Sequence, residues 1–271
     1  SIKGKKDQLN YMWRRDASQW ANSAPILFPI VGALRNDTCV INGKEYHMTQ
    51  HGFARHNEFE TNQVSDTEVI FSLKSNDEII KQYPFLFELN VTYRLIENKL
   101  TCHIEVKNTD HQPIYFQVGG HPAFACPFME NESSNDYYLE FSENETCNRK
   151  IIDVEKRGMS RVEKPFFDNE KRFFVRQELF NTDAIVIKNF KSENIALKSL
   201  NHDKSIVFHM NGFDHVGLWA AKHVGGLIAI EPWVGHADYT DFNGEFKEKE
   251  SCVELPVGKN FEVEFAVEIN Q

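Results

Sequence analysis

Strict alternation of apolar and polar residues is the strongest pattern in this chain. From Phe85 to Leu95 every odd position is apolar, and positions 88, 90, 92 and 94 are polar. After the polar turn Glu97–Lys99, the same alternation resumes from Leu100 to Lys107. A period of two puts successive side chains on opposite faces of a strand, so each segment predicts a β-strand with one buried face. Two such strands joined by a short polar turn predict an antiparallel hairpin.

Similar signals recur along the chain. Asn42-Gly43 separates the strand candidates Cys39–Ile41 and Lys44–Met48, and this dipeptide favours the positive φ angles of a type I′ hairpin turn. The C-terminal segment Phe261–Ile269 alternates again. Further strand candidates are Thr67–Lys74, Ile114–Val118, Tyr137–Phe141, Ala184–Lys188, Ile195–Leu200, Ser205–Met210, Val216–Ala221 and Gly226–Ile230.

Helical periodicity is scarce. Glu170–Phe180 predicts one short helix, and the polar segment Asp153–Arg176 predicts an irregular excursion over the surface or past the mouth of a cleft. Many strands at short spacing without alternating helices predict an all-β fold, an antiparallel sandwich or barrel. No linker rich in Pro, Gly or Ser interrupts the sequence, so we expect residues 1–271 to form a single domain.

The composition excludes several classes of protein. The chain carries 30 Lys and Arg against 40 Asp and Glu, a net charge of −10, which disfavours a nucleic-acid partner. No apolar run approaches the roughly 20 residues of a membrane helix. Five cysteines stand far apart without a C-x-x-C pair, and no signal peptide opens the chain. These features predict free thiols in a reducing cytoplasm.

Two polar residues stand out because apolar strands lead directly to them. His121 follows Gly119-Gly120 and precedes a proline, and Glu231 follows an apolar run and precedes Pro232. Proline biases the preceding residue towards extended backbone, so both side chains are expected at strand ends. A carboxyl group after five apolar residues is partly desolvated, which raises its pKa. Facing each other across a cleft, the two residues would form a general acid/base pair; the alternative is two structural residues.

Other polar residues have weaker signals. His47 and His51 are four residues apart, but on a strand that spacing spans about 13 Å, so a shared metal ion is not expected. Arg35 follows an apolar run as a lone cation, either as solvated surface or as a bidentate ligand for a polar molecule.

Five motifs, in their order along the chain, resemble the aldose 1-epimerase family, specifically its LacX-like branch. The motifs are Leu27–Gly32, Gln50–Arg55, Gly119–Phe124, Leu179–Ala184 and Ile230–Trp233. The resemblance runs from about Trp13 to the C-terminus. It implies a large antiparallel β-sandwich of the galactose mutarotase-like type, whose first strand is truncated in this chain. It also implies interconversion of the α and β anomers of a hexose without a metal or cofactor.

The resemblance also assigns roles to individual residues. It makes His121 the catalytic acid and Glu231 the base, and it implies that Arg35, His51 and Asp183 bind the sugar. Asp214, in a Gly-x-Asp-His sequence, is a second candidate for the aspartate, but Asp183 has the expected place in the order of motifs.

Three alternatives remain open. In the related hexose-6-phosphate epimerases the position of Arg55 helps to hold a phosphate, so a phosphorylated hexose is one alternative substrate. A non-catalytic sugar binder or sensor with the same cleft is the second. The third is a glycoside hydrolase that pairs Glu231 with Asp183 or Asp238, because two carboxylates flanking a cleft are also its signature.

Overall fold

The computed structural model describes residues 1–221 and 226–271, and its regular structure is almost entirely strand. The strands are β1 (Ile26–Leu27), β2 (Thr38–Ile41), β3 (Lys44–His47), β4 (Glu60–Ser65), β5 (Glu68–Lys74), β6 (Phe87–Ile96), β7 (Lys99–Asn108), β8 (Ile114–Phe116), β9 (Val118–Gly120), β10 (Ala123–Cys126), β11 (Tyr137–Asp153), β12 (Gly158–Phe174), β13 (Ile185–Lys188), β14 (Asn194–Ser199), β15 (Ser205–Asn211), β16 (His215–Trp219), β17 (Gly226–Val234), β18 (Val253–Leu255) and β19 (Asn260–Asn270). The α-helix α1 spans Asp77–Ile80, and 3₁₀ segments span Arg35–Asp37, Ala54–His56, Ser134–Asp136, Gln177–Phe180 and Phe246–Glu248. Among the described residues, no helix has the length and apolar character that a bilayer crossing requires.

Fifteen strands join one antiparallel sheet, which confirms the predicted fold class of a large antiparallel β-sandwich. Its order runs β1-β9-β17-β16-β13-β11-β14-β15-β19-β7-β6-β5-β4, with β10 also paired to β17 and β12 to β11. Two small sheets, β18-β8 and β2-β3, complete the strand pairing. The main apolar core collects the inward-facing residues of strands from both ends of this order.

The regular half of the sheet follows directly from alternation. In the β6–β7 hairpin, Leu89 pairs with Val106 and Val91 with Ile104, and all four side chains are buried. Directly opposed side chains lie on the same face of a sheet, so each cross-strand pair adds apolar area to one core. The predicted hairpin turn between β2 and β3 also forms, with positive φ at both of its central residues.

Two predictions for the polar middle of the chain are wrong. The segment expected to be irregular, Asp153–Arg176, contains the 17-residue strand β12, and Glu170–Phe180 is not a helix but the end of β12 followed by a 3₁₀ turn. β12 pairs with β11 along its length and forms one isolated bridge, from Met159 to Tyr239, and most of its residues are exposed. Register shifts interrupt the pairing at four points. An exposed strand with bulges has no continuous buried face, so alternation cannot reveal it.

The predicted strand Ile114–Val118 divides at Gln117, and this break positions part of the site. Gln117 is fully buried; its side-chain amide accepts a hydrogen bond from Val31 N–H at 3.3 Å and donates one to the carbonyl of Glu250 at 3.1 Å. β8 therefore pairs with β18 in a small sheet, whereas β9 enters the large sheet beside β17.

Candidate active site

Strand register brings His121 and Glu231 together. β9 pairs antiparallel with β17 so that Gly119 lies opposite Trp233, and β10 pairs with β17 in the same register. His121 lies between β9 and β10, and this register continued by two residues places it opposite Glu231. The two side chains meet with His121 Nε2 3.2 Å from Glu231 Oε2.

Glu231 does not end its strand, contrary to the sequence-based expectation. β17 continues through Pro232 to Val234, and β16 remains paired with it as far as Trp233. A proline removes only its own backbone N–H donor, so the extended backbone can continue on the paired side. Glu231 consequently lies inside a strand, with strand residues before and after it, rather than at a flexible strand end.

The electrostatics of the pair follow from its burial. Glu231 is 1% exposed, and its Oε2 has no aligned hydrogen-bond partner within residues 1–221 and 226–271. Burial raises the pKa of Glu231, and the nearby carboxylate of Asp183 raises it further. Burial also lowers the pKa of His121, with a smaller contribution from the positive charge of Arg55. Both shifts disfavour the charged forms, so the empty pair favours a protonated Glu231 beside a neutral His121.

Aromatic side chains enclose the imidazole. Trp20 stacks on His121 with ring centroids 4.6 Å apart and an interplanar angle of 28°. Trp219 meets the same ring edge-on at 5.6 Å. The ring of Trp233 lies over Gly217, where a Cβ atom would come within 2.7 Å of it, so only glycine leaves room for the indole. The indoles of Trp20 and Trp219 exclude water from His121, which explains the desolvation that lowers the pKa of His121.

His121 and Glu231 lie at the wall of a cavity of about 240 Å³. Its lining includes His51, His121, Asp183, Glu231, Trp219 and Trp233, together with Arg157. Three of the predicted site residues, His121, Glu231 and His51, therefore share one cavity with the preferred aspartate, Asp183. Asp183 is half-buried and has a φ of 127°, and its Oδ1 accepts a hydrogen bond from the backbone N–H of Ala184 at 2.7 Å.

His51 is fixed in one tautomer by its neighbour. Its Nδ1 accepts a hydrogen bond from the backbone N–H of Gly32 at 3.1 Å, and its own backbone N–H donates to the Gly32 carbonyl at 2.8 Å. Burial keeps the pKa of His51 well below its usual value. The neutral ring therefore carries its proton on Nε2, and the Gln50 side-chain amide beside it can accept this proton only through its oxygen. His51 thus contributes a hydrogen-bond donor to the cavity wall.

The structure places two predicted arginines away from the lining. Arg35 is exposed, and its Nη1 donates to the Phe242 carbonyl at 3.2 Å in a separate depression. Arg55 is half-buried and donates through Nε to His56 at 3.2 Å. Its charge reaches His51 and His121 electrostatically, but its side chain does not line the cavity.

Sequence reasoning missed Arg157 and Trp20. Arg157 lines the cavity and forms a bidentate ion pair with Asp37 at 3.1 and 3.2 Å. It belongs to the polar segment that the sequence placed past the mouth of a cleft, so a signal for its location existed. Trp20 lies in a polar N-terminal stretch without periodicity, and nothing in the sequence connects it with His121.

The competing aspartates have other partners. Asp214 lies 2.8 Å from His215 Nδ1 and does not line the cavity. Asp238 is buried, ion-paired with Lys249, and accepts a hydrogen bond from the backbone N–H of Arg35. A hydrolase pairing of Glu231 with Asp238 therefore has no support in this geometry.

Comparison with known proteins gives concordant results. The family model described as aldose 1-epimerase matches residues 1–254. The plasmid-encoded protein LacX of Lactococcus lactis subsp. lactis is 36% identical over 244 residues, which cover 85% of this chain and 79% of LacX. A galactose mutarotase related enzyme from Lactobacillus acidophilus superimposes with a TM-score of 0.95 at 30% identity, covering 100% of this chain and 90% of that one. A galactose mutarotase-like protein from Lactobacillus casei gives 0.91 at 30% identity, covering 99% and 92%.

Proposed function

The chain belongs to the aldose 1-epimerase family, and on that premise we propose that it interconverts the α and β anomers of a free hexose. The observation that carries the proposal is the 3.2 Å separation of His121 Nε2 and Glu231 Oε2 at the wall of a closed-in cavity. The cavity, at about 240 Å³, lies below the range of about 300–1,000 Å³ typical of drug-sized ligands. Its size therefore suits a single sugar ring.

In the proposed reaction, His121 and Glu231 start with one proton between them and exchange protons with the sugar. Transfer of the proton from Glu231 to His121, over 3.2 Å, produces a carboxylate beside an imidazolium. The carboxylate takes the proton of the C1 hydroxyl while the imidazolium protonates the ring oxygen, and the C1–O5 bond breaks. Rotation about C1–C2 and closure from the opposite face return both protons. Each transfer contributes on the order of 10²–10⁴ in rate.

His51 and Asp183 are proposed to hold the sugar hydroxyls. The Nε2–H of His51 supplies a donor, and the carboxylate of Asp183 supplies an acceptor on the same cavity wall. The two residues have opposite hydrogen-bonding characters, so they select the orientation of a hydroxyl network. Arg35 has no role in this proposal because it lies in a separate depression.

A hexose phosphate is the second candidate substrate. Within the described residues, Arg157 is the one Lys or Arg that lines the cavity. Its guanidinium is already paired with the Asp37 carboxylate through two hydrogen bonds, so its positive charge is offset before a phosphate could bind. We therefore propose the unphosphorylated hexose as substrate, with a phosphorylated hexose as the outcome that Arg157 would support.

The five cysteines are all free thiols. Free thiols suit a reducing compartment, and we propose the cytoplasm as the location of the protein.

Two-dimensional exchange NMR on galactose, glucose and glucose 6-phosphate tests the function. We expect the wild-type chain to accelerate anomer exchange of at least one free hexose, and His121→Asn to lower that rate by about 10²–10⁴. The matched control is His209→Asn, because His209 also pairs with a glutamate but lies outside the cavity. Preservation of the fold is checked by far-ultraviolet circular dichroism.

Two results would contradict the proposal. A wild-type chain that binds a hexose but leaves exchange at its buffer rate would be a sugar binder. Acceleration restricted to glucose 6-phosphate would move the substrate to the phosphorylated class and assign Arg157 to the phosphate.

A further inference from the structure

A second buried polar cluster lies beside the cavity on the same face of the sheet. His215 on β16 is paired directly opposite Trp233 on β17, and Trp233 is two residues from Glu231. Opposed residues, and residues two apart on one strand, share a face. His215 therefore points to the face that carries the sugar cavity. The segment that connects β17 with β18 brings His236 and Glu250 to the same place.

Both imidazoles in this cluster are oriented through Nδ1. His215 Nδ1 lies 2.8 Å from the Asp214 carboxylate, and His236 Nδ1 lies 2.6 Å from the carbonyl oxygen of Ala237. Both partners are acceptors, so each ring donates Nδ1–H and in its neutral form keeps a lone pair on Nε2. This arrangement, a ring oriented by an oxygen acceptor on its far nitrogen, is typical of metal-ligating histidines.

The two Nε2 atoms have no hydrogen-bond partner. His215 is 0% exposed and His236 is 2% exposed, and neither Nε2 is satisfied by any residue that the structure describes. A buried polar atom without a partner destabilises the folded state, so two of them aimed at one point need an explanation. A shared ligand between the two nitrogens would satisfy both.

Glu250 completes the set. Its Oε2 lies 3.5 Å from His236 Nε2, and the three ligand atoms of His215, His236 and Glu250 all lie within 4.8 Å of one another. A separation of 3.5 Å is long for a hydrogen bond, whereas two ligands of one tetrahedral zinc ion lie about 3.3 Å apart. We propose that His215, His236 and Glu250 bind a divalent transition-metal ion of the zinc class, at a site separate from the sugar cavity.

The surrounding charges are compatible with a cation. Glu250 Oε1 is ion-paired with Lys188 and lies 3.6 Å from Lys150 Nζ, and Glu250 Oε2 accepts a hydrogen bond from the Tyr239 hydroxyl. A carboxylate offers about four lone-pair positions, so these three contacts leave one for a metal bond. Asp214, behind His215, adds a second negative charge. Two imidazoles and one carboxylate form a ligand set of catalytic zinc sites, whereas Mg²⁺ and Ca²⁺ prefer oxygen ligands alone.

The alternative is a metal-free ion pair, in which a doubly protonated His236 faces Glu250. The two arrangements differ in His215, whose Nε2 takes part only in the metal site. Replacement of His215 therefore separates them: it removes a ligand from the metal site but leaves a His236–Glu250 ion pair intact.

Titration calorimetry of the metal-free full chain with ZnCl₂ tests the proposal. We expect one saturable equivalent of Zn²⁺ for the wild-type chain, and at least about 100-fold weaker binding for His215→Gln and for His236→Gln. Asp214→Asn should weaken binding by about 10–100-fold through the orientation of His215. His209→Gln, which alters a histidine–glutamate pair without a second histidine, should bind like the wild-type chain. Co²⁺ in place of Zn²⁺ should give the visible absorption of a four- or five-coordinate site.

Circular dichroism checks that each variant folds. If one of the two variants, His215→Gln or His236→Gln, fails to fold, the other one carries the test. The proposal is overturned if the wild-type chain has no saturable site. It is also overturned if His215→Gln and His236→Gln both bind like His209→Gln, which would identify an adventitious ion only. Neither outcome bears on anomer exchange, so the metal site and the sugar chemistry stand or fall separately.

Discussion

The histidine–glutamate pairs His121–Glu231 and His209–Glu268 have nearly the same separation and very different surroundings. His121 and Glu231 approach to 3.2 Å with side chains 10% and 2% exposed. His209 on β15 and Glu268 on β19 approach to 3.1 Å, but each side chain is 32% exposed. The exposed pair is aligned as a hydrogen bond, whereas Glu231 Oε2 has no aligned partner among the described residues.

The comparison shows that distance alone does not make an acid/base pair. Water can solvate either charge of His209 and Glu268, so that pair has little reason to exchange protons with a ligand. Around His121, the indoles of Trp20 and Trp219 exclude water, and both His121 and Glu231 line the cavity. His121 and Glu231 are buried and have no fixed hydrogen bond between them. The one proton that they hold is therefore available for transfer to a ligand in the cavity.

The largest difference between the pairs should appear in the exchange rate. Glu231→Gln keeps the size of the side chain but cannot accept the C1 hydroxyl proton, so we expect anomer exchange to fall by about 10²–10⁴. Glu268→Gln should leave the rate unchanged, because Glu268 does not line the cavity. Exchange NMR on the preferred hexose measures both variants. Equal rates for the two variants would erase the distinction drawn here.

The next difference concerns stability against pH. In the unfolded chain, Glu231 and His121 titrate near about 4.3 and about 6.5, so above about pH 7 neither holds a proton. Burial raises the pKa of folded Glu231, so the folded state keeps that carboxyl proton to a higher pH than the unfolded chain does. A folded state that holds the extra proton loses stability as pH rises, by up to about 1.4 kcal/mol per pH unit.

Glu231→Gln removes that extra proton. We therefore expect the unfolding free energy of this variant to gain on the wild-type value as pH rises from about 4.3, the pKa of unfolded Glu231, towards the raised pKa of the folded carboxyl group. Urea denaturation at several pH values in this window measures the difference. If the unfolding free energies of the variant and of the wild-type chain change in parallel with pH, folded Glu231 does not retain its proton.

The smallest effect is expected for the exposed pair. His209→Gln removes an exposed contact on β15, and such contacts contribute about 0.2–1 kcal/mol. Urea denaturation at pH 6 should show a loss in that range. A loss of several kcal/mol would mean that the His209–Glu268 pair stabilises the fold far more than its exposure predicts.

The fold was largely predictable because most strands have one buried face. The alternation in β6, β7 and β19 is the direct record of that burial. β4 is exposed at all six positions, and β12 is exposed along most of its length, so neither strand leaves an alternating pattern. Their places are determined by pairing with a neighbouring strand, which a single sequence does not display.

The site was predictable only where it lies on regular strands. The sequence singled out His121 and Glu231 because apolar strands, glycines and prolines mark their positions. Trp20 reaches His121, and Arg157 reaches the cavity, from segments without periodicity and by contacts distant in sequence. Arg35 is the opposite case. The family resemblance suggested that it binds the sugar, but the structure places it in a separate depression.

A double-mutant cycle on anomer exchange tests the central claim most directly. His121→Asn, Glu231→Gln and the double variant are compared with the wild-type chain by exchange NMR on one hexose. If the two residues act as one proton-transferring unit, the double variant should lose about as much rate as either single variant. Losses that multiply in the double variant, or a single variant as active as the wild-type chain, would contradict the account.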